Sequence, residues 1–114
     1  MNVEFEYMYR DFGNFKNYNS VVFGNQLDLS ADEIHRTICG ILGGDHNFEA
    51  AQLGLPEMFF KQFPYDPELD WPMHEYYAVK ESDLPVNDLE RRDILDLILS
   101  MSSGHACTPT LGAA

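Results

Sequence analysis

Two of the chain's basic side chains fall in one polar stretch near its start, Tyr9-Arg10-Asp11-x-x-Asn14-x-Lys16-Asn17-Tyr18-Asn19. Arg10 as a planar fork and Lys16 as a point charge form a candidate anion site for a carboxylate or phosphate. The competing reading pairs Arg10 with Asp11 or a strand glutamate and spends the asparagines on loop backbone. A second group mixes histidine with carboxylates: Asp45-His46, then Asp66, Glu68, Asp70, His74 and Glu75 around a Pro-rich stretch. His46, Asp70, His74 and Glu75 are the side chains of this group able to ligate zinc, manganese or iron. A carboxylate beside a histidine also suits proton transfer. No HExxH, paired CxxC or calcium-loop spacing is present, and no nucleophile sits beside these groups. No cofactor is implied, and no complete catalytic motif is found.

The third candidate is the charge itself. Nineteen Asp and Glu against seven Lys and Arg give a formal net charge of −12 on 114 residues. Such a surface repels nucleic acid and anionic membrane and attracts basic proteins, with fast, salt-sensitive association. Carboxylates spaced along strands and a helix can imitate a phosphate ladder and occupy a groove built for nucleic acid. The plain alternative is that the charge serves solubility. The densest stretch, 66–96, supplies the expected partner-binding acids: Asp66, Glu68, Asp70, Glu81, Asp83, Asp88 and Glu90. Leu95 and Leu99, off the main stripe of the last helical segment, are expected to add apolar contact or to pair two copies of the chain.

The elements that position these groups follow from periodicity. Residues 3–10 alternate, with Val3, Phe5, Tyr7 and Tyr9 on one face, which predicts a half-buried strand. Asp11 to Asn14 is turn chemistry, and a second strand is predicted over 20–23. Ser30-Ala31-Asp32-Glu33 is a capping box. Ile34, Ile38, Ile41 and Leu42 then recur at helical spacing until Gly43-Gly44, predicting a helix over 31–42. Residues 47–54 fit a short helix ending at Gly54. Strands are predicted over 58–63 and 73–79, with His74, Tyr76 and Ala78 on one face, and a last helix over 88–101. Residues 102–114 show no periodicity and read as a flexible tail behind a single domain over 1–101.

The expected fold is therefore α+β in two layers (ββαββα), an antiparallel sheet of about four strands with two helices on one face. With 45 % hydrophobic and 13 % aromatic residues the chain can build a core. No apolar run approaches the ~20 residues of a membrane helix. Two cysteines, Cys39 and Cys107, in no metal-like spacing, and no basic–apolar leader suggest a reducing, cytoplasmic setting.

The runs Tyr9-Arg10-Asp11-Phe12-Gly13-Asn14-Phe15-Lys16-Asn17-Tyr18 and Val21-Val22-Phe23-Gly24-Asn25 resemble a set of small bacterial proteins of unassigned role. These share a YRD…NYK…VVF.N opening. Leu55-Pro56-x-Met58-Phe59-Phe60 and Asp70-Trp71-x-x-His74-Glu75 are similar to theirs as well, so the likeness spans most of 5–80. It implies no activity or ligand, only that the early loop and the 71–75 segment belong together. Pro72-Met73 lengthens the spacing before His74 relative to that pattern.

The function expected from the residues is a non-enzymatic acidic protein that binds a basic surface on another protein; a nucleic-acid-mimicking inhibitor of a nucleic-acid-binding partner, or a phage anti-defence factor, is its sharpest form. The alternatives are a small metal- or anion-binding module or enzyme using Arg10, Lys16, Asp70, His74 and Glu75, and a homodimer joined through the last helix.

Overall fold

A computed structural model describes residues 1–11, 13–59 and 73–106. It contains strands β1 (Asn2–Arg10) and β2 (Lys16–Phe23), helix α1 (Ala31–Leu42) and strand β3 (Asn47–Phe48). A 3₁₀ turn (Ala51–Leu53), strand β4 (His74–Ser82) and helix α2 (Ile94–Ala106) follow. All strand pairs are antiparallel and the sheet order is β2-β1-β4-β3. Four antiparallel strands and two helices make a small α+β domain.

The alternation of β1 decides which face is inside. Val3, Phe5, Tyr7 and Tyr9 are all at most 1 % exposed. Phe5 stands at the centre, its ring in contact with Tyr7, Phe23, Phe48 and Tyr76. Ile34, Ile38 and Leu42 of α1, and Ile94, Leu97, Ile98 and Met101 of α2, close the same cluster. Burying one such side chain contributes about 1.5–3 kcal/mol. Helix α1 starts as the capping box dictates: Glu33 N donates to Ser30 Oγ, and Ser30 N donates to the Glu33 carboxylate.

Several expected boundaries move. Strand β2 begins at Lys16, not at residue 20, because the turn before it is tight. Asp11 N donates to Phe15 O, Phe15 N to the Asp11 carboxylate, and Asn14 takes φ 67°. The strand that completes the sheet is Asn47–Phe48, within the stretch expected to be a short helix. That helical character is confined to the 3₁₀ turn, which Gly54 ends at φ 70°. Met58 and Phe59 are not strand; the rest of the strand expected over 58–63 lies outside the described residues, as does the Pro-rich stretch. Helix α2 starts at Ile94 and not near 88, since the carboxylate of Asp93 accepts from Leu95 N, and that of Asp96 accepts from Asp93 N. It continues past 101 to Ala106.

The segment 87–94 has a different task. Asn87 N and Asp88 N donate to Val22 O, Val22 N donates to the Asn87 side chain, Gly24 N donates to Arg92 O, and Ile94 N to Gly24 O. It thereby covers the upper part of the β2 edge, satisfying groups that would otherwise template strand addition.

Candidate functional site

The face of the sheet away from the helices carries the ionisable groups of the early turn. Arg10 and Lys16 are Cα partners across β1 and β2. Arg10 is already held: its Nε and Nη2 reach the two carboxylate oxygens of Glu75 at 2.9 and 3.1 Å, and Nη1 donates to Asn14 Oδ1 at 2.6 Å. These contacts to Glu75, opposed in part by burial, raise the guanidinium pKa further. Arg10 therefore serves a strand glutamate, and Lys16 stands exposed beside it.

His74 points the other way, into the core, at 0 % exposure. The rings of Tyr7, Tyr9, Phe48 and Phe59 surround it. Its Nε2 accepts from Met58 N at 2.9 Å, so that lone pair is spent on backbone and the ring is neutral. His46 packs against Tyr76 at φ 58°. Glu75 belongs to Arg10, and Asp70 lies outside the described residues. Arg10 and His74 thus stand on opposite faces of the sheet and do not converge. Among the described residues no group of three His, Cys, Asp or Glu side chains is arranged to hold a metal.

Of the expected partner-binding acids, Glu81, Asp83 and Glu90 are exposed, while Asp66, Glu68 and Asp70 lie outside the described residues. Asp88 is not at the surface. It is 4 % exposed, and its carboxylate is turned inward to Arg92 Nε and Nη2 at 3.0 and 2.9 Å and to the backbone N–H groups of Glu90 and Arg92. Burial pushes its pKa up, but these hydrogen bonds outweigh burial and hold it below the usual carboxylate range. Arg92 continues to Leu53 O at 2.7 Å and lies over the Phe23 ring at 5.5 Å. A lone acid in a charge-rich stretch gave no sign of this inward pairing, although the Asp88/Arg92 spacing of four was visible. Leu95 packs partly against the core, and Leu99 is 66 % exposed.

Two groupings were not legible beforehand. On α1, His35 Nδ1 lies 2.7 Å from Tyr76 Oη, and Cys39 Sγ lies 3.6 Å from His35 Nε2. Burial first, then the charges of Cys39 and Glu6, push the Tyr76 phenol far up, so it stays protonated. The i, i+4 spacing of His35 and Cys39 was the available signal. The second grouping is on the outer face. Tyr18 and Tyr77, 51 % and 57 % exposed, meet edge to face at 5.3 Å. With Glu6, Asn19 and Ser20 they line an open depression of about 450 Å³. Tyr77 reaches this face by simple alternation after Tyr76, and the register of β1 and β4 shifts beside it: Tyr7 pairs with Tyr76 but Glu6 with Ala78. That bulge moves Ala78 to the outer face, against the simple alternation with His74 and Tyr76.

Fold and surface together define a small acidic α+β domain with a closed aromatic core and an open sheet face. Compared with known proteins, the chain matches no family model, no curated protein and no solved structure. No helix among the described residues is long and apolar enough to cross a membrane.

Proposed function

We propose that this chain is a non-enzymatic interaction protein whose outward carboxylates engage a basic surface on another protein. The observation that supports this reading most is how the cations are spent. Among the described residues, four of the six Lys and Arg side chains are tied to carboxylates of the same chain: Arg10 to Glu75, Arg36 to Asp32, Lys80 to Glu6 and Arg92 to Asp88. The surplus of acids is left facing water, at Glu33, Asp45, Glu49, Glu81, Asp83 and Glu90 among others. A rigid scaffold with carboxylates on its strand ends, turns and helix starts suits a Lys- and Arg-lined groove built for nucleic acid, so inhibition of a nucleic-acid-binding protein is the sharpest form of the reading.

The test is capture from cell extract on the immobilised full chain at 50 and 300 mM NaCl, beside the variant Glu81→Gln/Asp83→Asn/Glu90→Gln. Partners should be basic, should be released by salt as screening shortens the reach of exposed charges, and should be lost from the variant. Partners retained equally by high salt and by the variant would overturn the reading. Self-association through the exposed Leu99 of α2 is the second reading, and mass in solution at two concentrations decides it.

A further inference from the structure

We propose that the depression between Tyr18, Tyr77 and Glu6 seats one lysine or arginine side chain of the basic partner; this rests on the proposed function and names where that partner is anchored. Large aromatics normally contribute buried area, yet these two rings stand more than half exposed on the sheet face that no helix among the described residues covers. The two rings meet edge to face, and both line the depression. A cation over a tyrosine face within about 6 Å gains about 0.5–1 kcal/mol when exposed and about 2 kcal/mol when desolvated.

Simple alternation after Tyr76 turns Tyr77 to this side, and the register shift that follows turns Ala78, the partner of Glu6, to it as well. Cross-strand, Tyr18 is the Cα partner of Met8, which is itself 7 % exposed despite lying on the outer face. The rings themselves offer apolar surface suited to the methylene stem of Lys or Arg. Glu6 supplies the counter-charge. Its side chain is 26 % exposed and its present partner, Lys80, is a single contact at 3.5 Å from an exposed side chain. Such a pair is worth little in water, so an incoming cation can take its place. Arg10 is bound through both carboxylate oxygens of Glu75 and stays where it is. The net charge of −12 brings a basic partner to this surface, and the rings and Glu6 fix one of its side chains.

The probe is an acetylated decapeptide of alternating Lys and Gly, titrated into the full chain by calorimetry at 50 and 150 mM NaCl, with shifts of the tyrosine ring resonances followed in parallel. Tyr18→Leu and Tyr77→Leu keep bulk and remove the π face; Glu6→Gln removes the charge. Each tyrosine variant should weaken the 150 mM affinity roughly two- to thirtyfold, the range that the cation–π energies above correspond to, and Glu6→Gln should weaken it as well. An unchanged thermal midpoint separates this loss from misfolding. If the Glu81/Asp83/Glu90 variant weakens binding while the tyrosine variants do not, the anchor is overturned and the acidic reading stands. If the peptide does not bind even at 50 mM NaCl, both fall. Dimerisation of the free chain that Tyr18→Leu abolishes would assign this face to a second copy and overturn the anchor.

Discussion

Removing the Asp88 carboxylate should be the most damaging single change outside the apolar core. Asp88 and Arg92 are 2 % and 13 % exposed as side chains and are joined at two nitrogens. The guanidinium then ties the 87–94 segment to the 3₁₀ turn through Leu53 O and Gly54 O. Asp88→Ala leaves a nearly buried cation without its counter-charge and also strips two backbone N–H groups, those of Glu90 and Arg92, of their acceptor. Breaking a buried pair from one side costs about 3–5 kcal/mol. A domain of this size has roughly 5–15 kcal/mol in all, and each kcal/mol lowers the melting midpoint by about 4–8 °C. Urea unfolding followed by circular dichroism, with a thermal melt, measures both. Since the pair acts as a unit, Asp88→Ala should cost far less in an Arg92→Ala background. The acid limb carries an independent sign. The folded Asp88 pKa is held below its unfolded value. Its contribution is therefore full above the unfolded value, about 3.9, and is lost as pH falls through the folded one. Asp88→Ala should flatten that limb. A loss under about 1 kcal/mol, or single and double variants that simply add, would refute the reasoning.

Further outcomes are expected from local features. Ser30→Ala removes the capping box of α1 and should cost about 1 kcal/mol in urea unfolding. Gly54→Ala places a Cβ at φ 70° and 3.1 Å from Arg92 Nη2, so it should cost at least the ~1–2 kcal/mol of a left-handed side-chain residue and less when Arg92 is already Ala. At alkaline pH the buried phenols decide. Burial raises Tyr7, against the Asn19 hydrogen bond, and raises Tyr76 strongly. Their stabilising contribution is intact below the unfolded value near ~10 and is lost as pH climbs toward the folded ones. Tyr76→Phe, monitored by tyrosinate absorbance and unfolding together, should shift that alkaline transition upward. Replacing Asp32 of the exposed Asp32–Arg36 pair by Asn should change stability by no more than about 0.5 kcal/mol.

The sequence alone determined the parts that local rules govern. The alternation of Val3, Phe5, Tyr7 and Tyr9 set the inner face of the central strand, because a period of two on a pleated chain leaves one face for the core. Ser30 and Glu33 set the start of α1, and glycine its end, because orphan backbone groups take partners within four residues. Net charge was legible at once. What tertiary structure decided is where long-range partners overrule local pattern. Asn47–Phe48 becomes a strand because β4 offers it a ladder. The register shift beside Tyr77 turns Ala78 outward against simple alternation, and the early start of β2 brings Tyr18 against Tyr77. Asp88 looked like one more surface acid and is a buried clasp, because its partner folds back through Arg91 at φ 57°. Arg10, Lys16 and His74 share a short stretch of sheet, yet the pleat sends His74 inward and the two cations outward. Periodicity reports which side chains share a face; only the packed molecule fixes which charges meet across it.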